Sequence, residues 1–339
     1  MQRTILITGA TGRQGGAVVD ALLSRGGTAA WKIIVVTRDP SSAPAKALAA
    51  RGLAIVRADA NDRKSLDDAL ALHAPVHGFF CVTNPFASRW QGGAAPKGDV
   101  AMETRQGIHM VDACKAAGVQ HFVLTSVASA GDCLVDGAPV ETFQAKWEVE
   151  QHLVRSGLPH SILAPCGFFE NMESPFAGLK QGVVPGLLQD TRVQMISCVD
   201  IGVFAAIAFE NRDAWLGRRM EIAGETTSAA MQAATLSALR GGEPWRVKVP
   251  PEWVFKLFIP KPVARLRAFL QKKGTKVDVE ACRAVHPGLM NCEPPPLLSC
   301  VPLALAAALT TPPPPSSPHT HITPFPGTFS RALVPPQKV

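Results

Sequence analysis

The chain has 339 residues, of which 47% are hydrophobic and 18% are charged, a balance typical of a folded globular protein. It contains no tyrosine, which excludes every mechanism that needs a phenol as acid, base or nucleophile. The formal net charge is +7, and the sequence has no run of five or six like charges. This charge is compatible with small ligands that carry phosphate and does not favour nucleic acid as a binding partner.

Cysteine and histidine positions argue against disulfides and metal sites. The eight cysteines form no C-x-x-C pair and lie mostly in apolar runs, which predicts buried, reduced thiols. His73 and His77 are separated by a proline, and His319 and His321 lie in a segment without a scaffold, so no metal is expected. No leader-like segment precedes the first strand, and the longest apolar run, residues 297–309, is too short to cross a membrane. We therefore expect a cytoplasmic protein without membrane or nucleic-acid partners.

Strand and helix signals alternate through the first half of the chain. Short apolar runs predict strands at residues 4–8, 32–37, 54–57, 78–82, 122–126 and 160–164. Helical periodicity predicts helices at residues 16–25, 44–51, 64–72, 100–117 and 143–156. Because the strands are continuously apolar instead of alternating, both faces of the sheet should be covered. The pattern predicts an α/β protein with a Rossmann-type, doubly wound parallel sheet.

The rest of the chain has a different character. Residues 1–165 are predicted to form the Rossmann domain, and residues 166–293 a small mixed α/β C-terminal cap subdomain over the edge of the sheet. Within the cap, strands are predicted at 193–197 and 219–223, and helices at 200–209, 228–240 and 263–272. Residues 294–339 contain 13 prolines and two charged residues, which predicts a disordered Pro-rich tail.

A glycine-rich turn, TGATGRQGG, connects the first strand to the first helix. Gly9 permits a tight turn, Gly12 lets the backbone approach a diphosphate, and Gly15 allows close contact between helix and strand. The diphosphate would meet free N–H groups at the positive end of the helix. A glycine triplet alone is weak evidence, but its place at the start of a β-α-β series favours a dinucleotide site over a turn without a ligand.

The end of the second strand indicates which dinucleotide binds. NAD-specific sites place a carboxylate there to hold the ribose 2′-hydroxyl, whereas this chain has Thr37 followed by Arg38. A guanidinium suits a 2′-phosphate through a charged bidentate contact. Asp39 is a competing feature, although Pro40 after it suggests that the carboxylate turns away as a cap. NADP(H) is therefore the expected cofactor.

Five segments together resemble the NmrA-like family of atypical short-chain dehydrogenases/reductases, and within it the NADPH sensor-like proteins. They are TGATGRQGG, VTRDP, VTNPF, TFQAKWEVEQHL and PCGFFENM. The resemblance covers about residues 3–290, and its motifs are specific as an ordered set. It implies an NADP(H)-binding Rossmann domain and a small C-terminal subdomain. Members of the family are often redox-responsive regulators, while isoflavone reductase-like relatives are true reductases.

The resemblance also implies a role for each matching residue. The diphosphate loop is matched by Gly9, Thr11, Gly12, Arg13, Gln14 and Gly15, and the 2′-phosphate ligand by Arg38. The adenine contact is matched by Asp59 and Ala60, the nicotinamide-ribose contact by Thr83 and Asn84, and the basic residue on the next helix by Arg105. The family lysine is matched by Lys146, and the segment that closes over the nicotinamide by Phe168, Phe169, Glu170 and Asn171. The two phenylalanines could equally be ordinary core residues.

One departure bears on catalysis. Tyrosine-dependent members of the superfamily use Tyr-x-x-x-Lys, in which the lysine lowers the pKa of the tyrosine. Here Thr142 stands four residues before Lys146, and a threonine cannot be ionised near neutral pH. Lys146 is therefore the candidate proton donor, or a ribose ligand without a chemical role. Ser126, at the end of the fifth strand, is a weaker candidate, since an ordinary strand-end hydroxyl explains it as well.

Two classes of function follow. The first is a redox-responsive sensor, in which bound NADPH favours one conformation of the cap and changes its affinity for a regulatory protein partner. The second is an NADPH-dependent reductase of a small carbonyl, enone or quinone substrate. The missing tyrosine and the sensor-like motifs favour the first class.

Overall fold

Seven parallel strands form the main sheet of this protein, in the spatial order Arg219–Ile222, His160–Pro165, Phe122–Thr125, Gly78–Val82, Arg3–Thr8, Trp31–Thr37 and Ala54–Arg57. The computed structural model describes residues 2–83, 100–171, 188, 191–239, 241–245 and 261–291. The strands of the main sheet are β1 (Arg3–Thr8), β2 (Trp31–Thr37), β3 (Ala54–Arg57), β4 (Gly78–Val82), β5 (Phe122–Thr125), β8 (His160–Pro165) and β11 (Arg219–Ile222). Leaving out β11, this is the strand order of dinucleotide-binding Rossmann folds, which confirms the predicted fold class.

Short strands and the helices complete the described structure. A hairpin contains β6 (Leu134–Val135) and β7 (Ala138–Pro139), and a three-stranded sheet contains β9 (Gly167–Phe168), β10 (Val193–Ile196) and β12 (Glu225–Thr227). The helices are α1 (Arg13–Arg25), α2 (Gly27–Ala30), α3 (Ala43–Ala50), α4 (Arg63–Leu72), α5 (Val100–Ala116), α6 (Glu141–Ser156), α7 (Cys198–Glu210), α8 (Arg212–Trp215), α9 (Ala229–Leu239), α10 (Lys261–Lys272) and α11 (Val279–Val285).

Two apolar cores lie on opposite faces of the main sheet, which is why its strands are continuously apolar. Ile5 and Ile7 of β1 belong to the core that includes α1 and α7, while Leu6 between them belongs to the core that includes α4, α5 and α6. Successive side chains of a strand point to opposite faces, so each strand supplies both cores. Helices α1 and α7 cross closely at Gly202, where an added Cβ would lie 2.4 Å from the carbonyl oxygen of Ala17.

The three-stranded sheet begins beside the main sheet, because β9 starts two residues after β8 ends. Strand β10 pairs with β9 in parallel and with β12 antiparallel. Helix α10 packs against the start of α6 through Phe269 and Phe143, whose rings meet edge to face with centroids 5.3 Å apart. Strand β11, from the same part of the sequence, instead joins the main sheet beside β8. The division of the chain at residue 165 stays a prediction.

The six cysteines in the described residues are buried free thiols, as the sequence predicts. Burial raises the pKa of Cys81 and of Cys166 to about 12. Three or more His, Cys, Asp or Glu side chains placed to hold a metal ion are not found in the part of the chain that the structure describes. A helix long and apolar enough to cross a membrane is likewise absent from the described ranges. The predicted tail, residues 294–339, lies outside them.

Candidate functional site

The candidate site lies at the carboxyl ends of the parallel strands, beside the point where the strand order reverses between β1 and β4. Ligands of open α/β sheets bind in the crevice at such a point. The ends of β1 and β4 are joined by the Thr8 hydroxyl, which donates to the carbonyl oxygen of Phe80 and accepts from the backbone N–H of Val82, both at 3.0 Å. The glycine-rich turn begins at the next residue.

The glycine turn has a geometry that only glycine permits at two of its positions. Gly9 has a φ of 65°, and a Cβ there would lie 2.4 Å from a methyl carbon of Val82. A Cβ on Gly15 would lie 2.4 Å from the carbonyl carbon and oxygen of Gly9. The backbone N–H of Gly12 donates to the Gly9 carbonyl oxygen at 2.9 Å and closes the turn. The backbone of the turn is therefore in close contact with the first turn of α1.

The first turn of α1 carries no negative charge and no side-chain cap. Gly12 is its N-cap residue, and the first turn contains no Asp or Glu. Thr11, Gly12 and Arg13 are exposed. The backbone N–H groups of a helix start point outward and carry partial positive charge, so they attract phosphate groups. A glycine turn that no side chain fills, next to an uncapped helix start, fits the diphosphate of a dinucleotide.

Two side chains of the turn connect it to the rest of the site. The Gln14 side-chain oxygen accepts a hydrogen bond from the Thr125 hydroxyl at the end of β5, at 2.8 Å. The Arg13 guanidinium donates to the carbonyl oxygen of Glu170 at 3.2 Å and to the side-chain oxygen of Asn171 at 3.4 Å. The structure therefore brings together the predicted diphosphate loop and the predicted closing segment.

The two neighbouring charged residues at the end of β2, Arg38 and Asp39, have different surroundings in the structure. One carboxylate oxygen of Asp39 accepts from the backbone N–H of Ser41 at 2.9 Å and from its hydroxyl at 2.5 Å. These hydrogen bonds from Ser41 lower the pKa of Asp39. The carboxylate thus caps its own turn, as Pro40 suggests. Arg38 is exposed at the same strand end, where a ribose phosphate would lie.

The residues after β3 form a compact turn held to α5. Asp59 accepts from the backbone N–H of Asn61 at 2.9 Å, and its own backbone N–H donates to the Ser65 hydroxyl at 2.9 Å. The carbonyl oxygen of Ala60 lies 2.9 Å from a ring nitrogen of His109 on α5. These contacts fix the backbone of Asp59 and Ala60, the predicted adenine contact.

Lys146 belongs to a buried polar cluster at the end of β4. Its ammonium lies 2.9 Å from a carboxylate oxygen of Glu103 and 3.2 Å from the hydroxyl of Thr83, and that hydroxyl donates to the same carboxylate oxygen at 2.9 Å. The Glu103 side chain has 0% exposure and that of Lys146 has 19%. The second oxygen of Glu103 is buried and has no hydrogen-bond partner among the described residues.

Glu103 was not predicted from the sequence, although a signal was present. It lies on the face of α5 that also buries Met102, Gln106 and Met110, so a carboxylate occupies a buried helix position. Arg105, the predicted residue on this helix, is exposed, because positions two apart on a helix point in nearly opposite directions. Asn84, the predicted neighbour of Thr83, lies outside the described residues.

Ser126 belongs to a different network from Lys146. Its hydroxyl donates to a carboxylate oxygen of Glu150, which is buried on α6. The other oxygen of Glu150 lies 2.7 Å from the guanidinium of Arg219 on β11. As placed, this hydroxyl connects β5 to α6 and β11, which is a structural role.

The predicted closing segment connects β9 to the start of α7. Phe168 packs against the core that contains α1 and α7, and Phe169 against the apolar cluster of the three-stranded sheet. A carboxylate oxygen of Glu170 accepts from the backbone N–H of Cys198 at 2.8 Å and from the Ser197 hydroxyl at 3.2 Å. Glu170 therefore places a carboxylate at the positive end of α7, where it is favourable.

One known protein is similar to this chain both in sequence and in structure. Quinone oxidoreductase 2 of Escherichia coli (strain K12) is 28% identical over 240 residues, which are 70% of this chain and 75% of that protein. Its structure in complex with NADPH has a TM-score of 0.63 at 23% identity, covering 85% of this chain and 96% of that one.

Two further solved structures share the fold. The triphenylmethane reductase of Citrobacter sp., complexed with NADP(H), has a TM-score of 0.64 at 18% identity and covers 85% of this chain and 96% of its own. NmrA, a negative transcriptional regulator in complex with NADP, has a TM-score of 0.61 at 16% identity and covers 86% and 93%. The neighbours thus include both enzymes and a regulator, and all three were crystallised with NADP(H).

The family assignment comes from a match to a family model. The model described as the NmrA-like family matches residues 1–287, which is most of the chain. The matched range contains the glycine turn, the end of β2, Lys146 and the closing segment. This chain therefore belongs to the NmrA-like family.

Proposed function

We propose that this protein is an NADPH-dependent reductase that acts on quinones or related enones and carbonyl compounds. The observation that carries the proposal is the buried cluster of Lys146, Glu103 and Thr83 at the carboxyl end of β4, on the same sheet edge as the glycine turn. A charged pair taken out of water is costly to maintain, so its position beside a cofactor site points to a chemical task.

NADP(H) is the proposed cofactor, and the chain offers a set of groups to hold it. The glycine turn and the start of α1 suit the diphosphate, and Arg38 suits the 2′-phosphate. The Asp59–Ala60 turn would contact the adenine, and Thr83 and Lys146 would contact the nicotinamide ribose. When bound, NADPH would supply a hydride.

Lys146 would supply the proton that accompanies that hydride. A protonated amine has three N–H donors, and two of them are directed at Glu103 and Thr83. The third can donate to a substrate oxygen. Addition of one hydride and one proton converts a carbonyl into an alcohol, or a quinone into a hydroquinone. Glu103 would hold the ammonium in place.

A redox-responsive sensor is the second candidate, and a specific contact favours it. Arg13 joins the glycine turn to Glu170 and Asn171, and Glu170 contacts the start of α7. Occupation of the turn by a dinucleotide could therefore be transmitted to α7 and to a protein partner bound there. Thr142, in place of the tyrosine of related enzymes, is compatible with this role.

NADPH consumption separates the two candidates. The wild-type protein would be mixed with saturating NADPH and a panel of quinones and enones, and the loss of NADPH absorbance followed. The reductase proposal predicts turnover with at least one acceptor and none without protein. NADPH binding without consumption across the panel would contradict the reductase proposal and favour the sensor.

A further inference from the structure

A cavity of about 620 Å³, wide open to solvent, lies at the end of α10, outside the groups assigned above to NADP(H). Its size is within the roughly 300–1,000 Å³ of small-molecule sites. Among the described residues, the lining is polar and basic and includes no acidic side chain. It consists of Thr191, Arg192, Leu270, Gln271, Lys273, Gly274, Thr275 and Lys276.

Some of the positively charged side chains that line this cavity have no ion-pair partner among the described residues. Lys273 lies 2.6 Å from Asp132, whose side chain is 78% exposed, and a lysine after the last turn of α10 also complements the negative end of that helix. Arg192 and Lys276 are exposed and take part in no ion pair among the described residues. Within the described part of the lining, these two positive charges therefore have no acidic counter-charge.

The surrounding segment of the chain is strongly basic. Residues 261–291 contain seven Lys or Arg and two acidic residues, a surplus of five positive charges. Residues 294–339 contribute two of the total of seven, so the surplus of this one segment equals that of the whole chain before the tail. A concave surface lined by one sign of charge concentrates ligands of the opposite sign.

One apolar cluster links the cavity to the closing segment of the candidate site. Leu270, on its wall, packs in the same apolar cluster as Phe169. The Thr275 hydroxyl lies 3.4 Å from the sulfur of Cys166, which directly follows the end of β8. The Gln194 side chain on β10 holds the backbone N–H and carbonyl of Val277, at 2.7 and 2.8 Å. A ligand in the cavity would therefore lie beside both an apolar wall and the strand ends.

We propose that this cavity binds the anionic group of the substrate, a carboxylate, sulfonate or phosphate on an otherwise apolar acceptor. The anion would lie between Arg192 and Lys276, with the Thr191 and Thr275 hydroxyls as further donors, and the apolar body would extend along Leu270. The identification of the ligand as a substrate rests on the reductase function proposed above. Anion binding by the cavity does not depend on that function.

A binding measurement tests the cavity itself. Isothermal titration would compare naphthalene-2-sulfonate with naphthalene-2-sulfonamide, which has nearly the same shape and no charge. The wild-type protein should bind the sulfonate about tenfold more tightly, since two partly exposed charge pairs contribute about 1.4 kcal/mol together. Arg192→Gln combined with Lys276→Gln should remove that preference. The control is Lys272→Gln, which removes one positive charge from a residue that is paired with Asp136 and is not part of the described lining.

A kinetic measurement tests the substrate assignment. The ratio of the KM for anthraquinone-2-sulfonate to the KM for neutral menadione should rise about tenfold in the Arg192→Gln, Lys276→Gln variant. Equal affinity of the wild type for sulfonate and sulfonamide, or an unchanged sulfonate affinity in the variant, would overturn the anion site. Loss of sulfonate binding with an unchanged KM ratio would overturn the substrate role. If no quinone is reduced while the sulfonate still binds selectively, the reductase function fails and the anion site stands.

Discussion

Glu103 and Lys146 form a buried pair of opposite charges in the candidate site, and they depend on each other. Glu103 is fully buried, and Lys146 supplies its one ion-pair partner among the described residues. Removing one partner of a buried pair leaves an uncompensated charge, which typically costs about 3–5 kcal/mol. Removing the charge of both partners avoids that cost.

This dependence gives a prediction about stability. Lys146→Met should lower the free energy of unfolding by about 3 kcal/mol, and adding Glu103→Gln should recover most of the loss. Denaturant unfolding of the wild type, both single variants and the double variant measures the coupling. Additive losses in the double variant would show that the two side chains do not interact as described.

Arg38 gives a prediction about cofactor choice. The carboxylate next to it, Asp39, is engaged by Ser41 and does not compete for a ribose hydroxyl. A charged hydrogen bond contributes about 1.5–3 kcal/mol, so NADPH should bind at least about tenfold more tightly than NADH. Arg38→Asp should narrow or reverse that preference. The measurement is equilibrium titration of both proteins with both dinucleotides, and equal wild-type affinities would exclude Arg38 as a phosphate ligand.

Helices α1 and α7 are the elements that most directly support the glycine turn. They cross at Gly202, whose hydrogen faces the backbone of Ala17. Because the nearest atoms are backbone, they cannot move aside as a flexible side chain would. The position of α1, and with it the helix start beside the turn, therefore depends on a glycine in a helix nearly 190 residues later in the chain.

We expect Gly202→Ala to destabilise the protein by about 1–3 kcal/mol, the usual cost of overpacking a core. At about 2–4 °C per kcal/mol for a chain somewhat smaller than this one, Tm should fall by several degrees. Gly167→Ala is the matched control, because its added Cβ would meet no atom closer than 3.6 Å. Equal Tm values for the two variants would contradict the close crossing of α1 and α7.

At the scale of the whole molecule, His121 connects folding to pH at the opposite edge of the sheet. The Ser161 hydroxyl donates to the carbonyl oxygen of Trp215, so it must accept from His121, with 2.7 Å between the nitrogen and the oxygen. The other ring nitrogen is buried without a hydrogen-bond partner among the described residues. Burial, helped by the charge of Arg212, lowers the pKa of His121 to about 4.

The sign of the pH effect follows from that shift. Between about pH 6.5 and pH 4 the unfolded chain binds a proton at His121 that the folded protein does not, so stability falls as the pH falls. The loss should reach roughly 3 kcal/mol at pH 4, from about 1.4 kcal/mol for each unit of pKa. Denaturant unfolding across this range should show a shallower slope for His121→Gln than for the wild type. Identical slopes would contradict the buried neutral imidazole; the other histidines contribute equally to both proteins.

The sequence predicts the main sheet well and the site incompletely, for different physical reasons. Apolar runs such as 32–37 have no competing structure, so their strands are found within a residue of the predicted ends. The same pattern cannot say which sheet a strand joins: residues 219–222 lie within the predicted cap segment and pair with β8 of the main sheet. Strands of two or three residues, such as β9 and β12, are too short for any periodic signal.

The site residues divide in a similar way. The glycine turn is predictable because Gly9 and Gly15 are required by local backbone geometry. Glu103 is not, because its partner is 43 residues away in the sequence and only the fold brings them together. Asn84 and the Pro-rich tail lie outside the described residues, so those expectations stay predictions.

The central claim is that Lys146 donates a proton during NADPH-dependent reduction, and one comparison tests it most directly. Turnover of a quinone at saturating NADPH would be measured for Glu103→Gln and for Glu103→Gln combined with Lys146→Met, so that no buried carboxylate is left unpaired in either protein. A positioned general acid supplies about 10²–10⁴-fold, so we predict that the second variant turns over at least about a hundredfold more slowly. Equal turnover in the two variants would show that Lys146 is a ligand without a part in the chemistry.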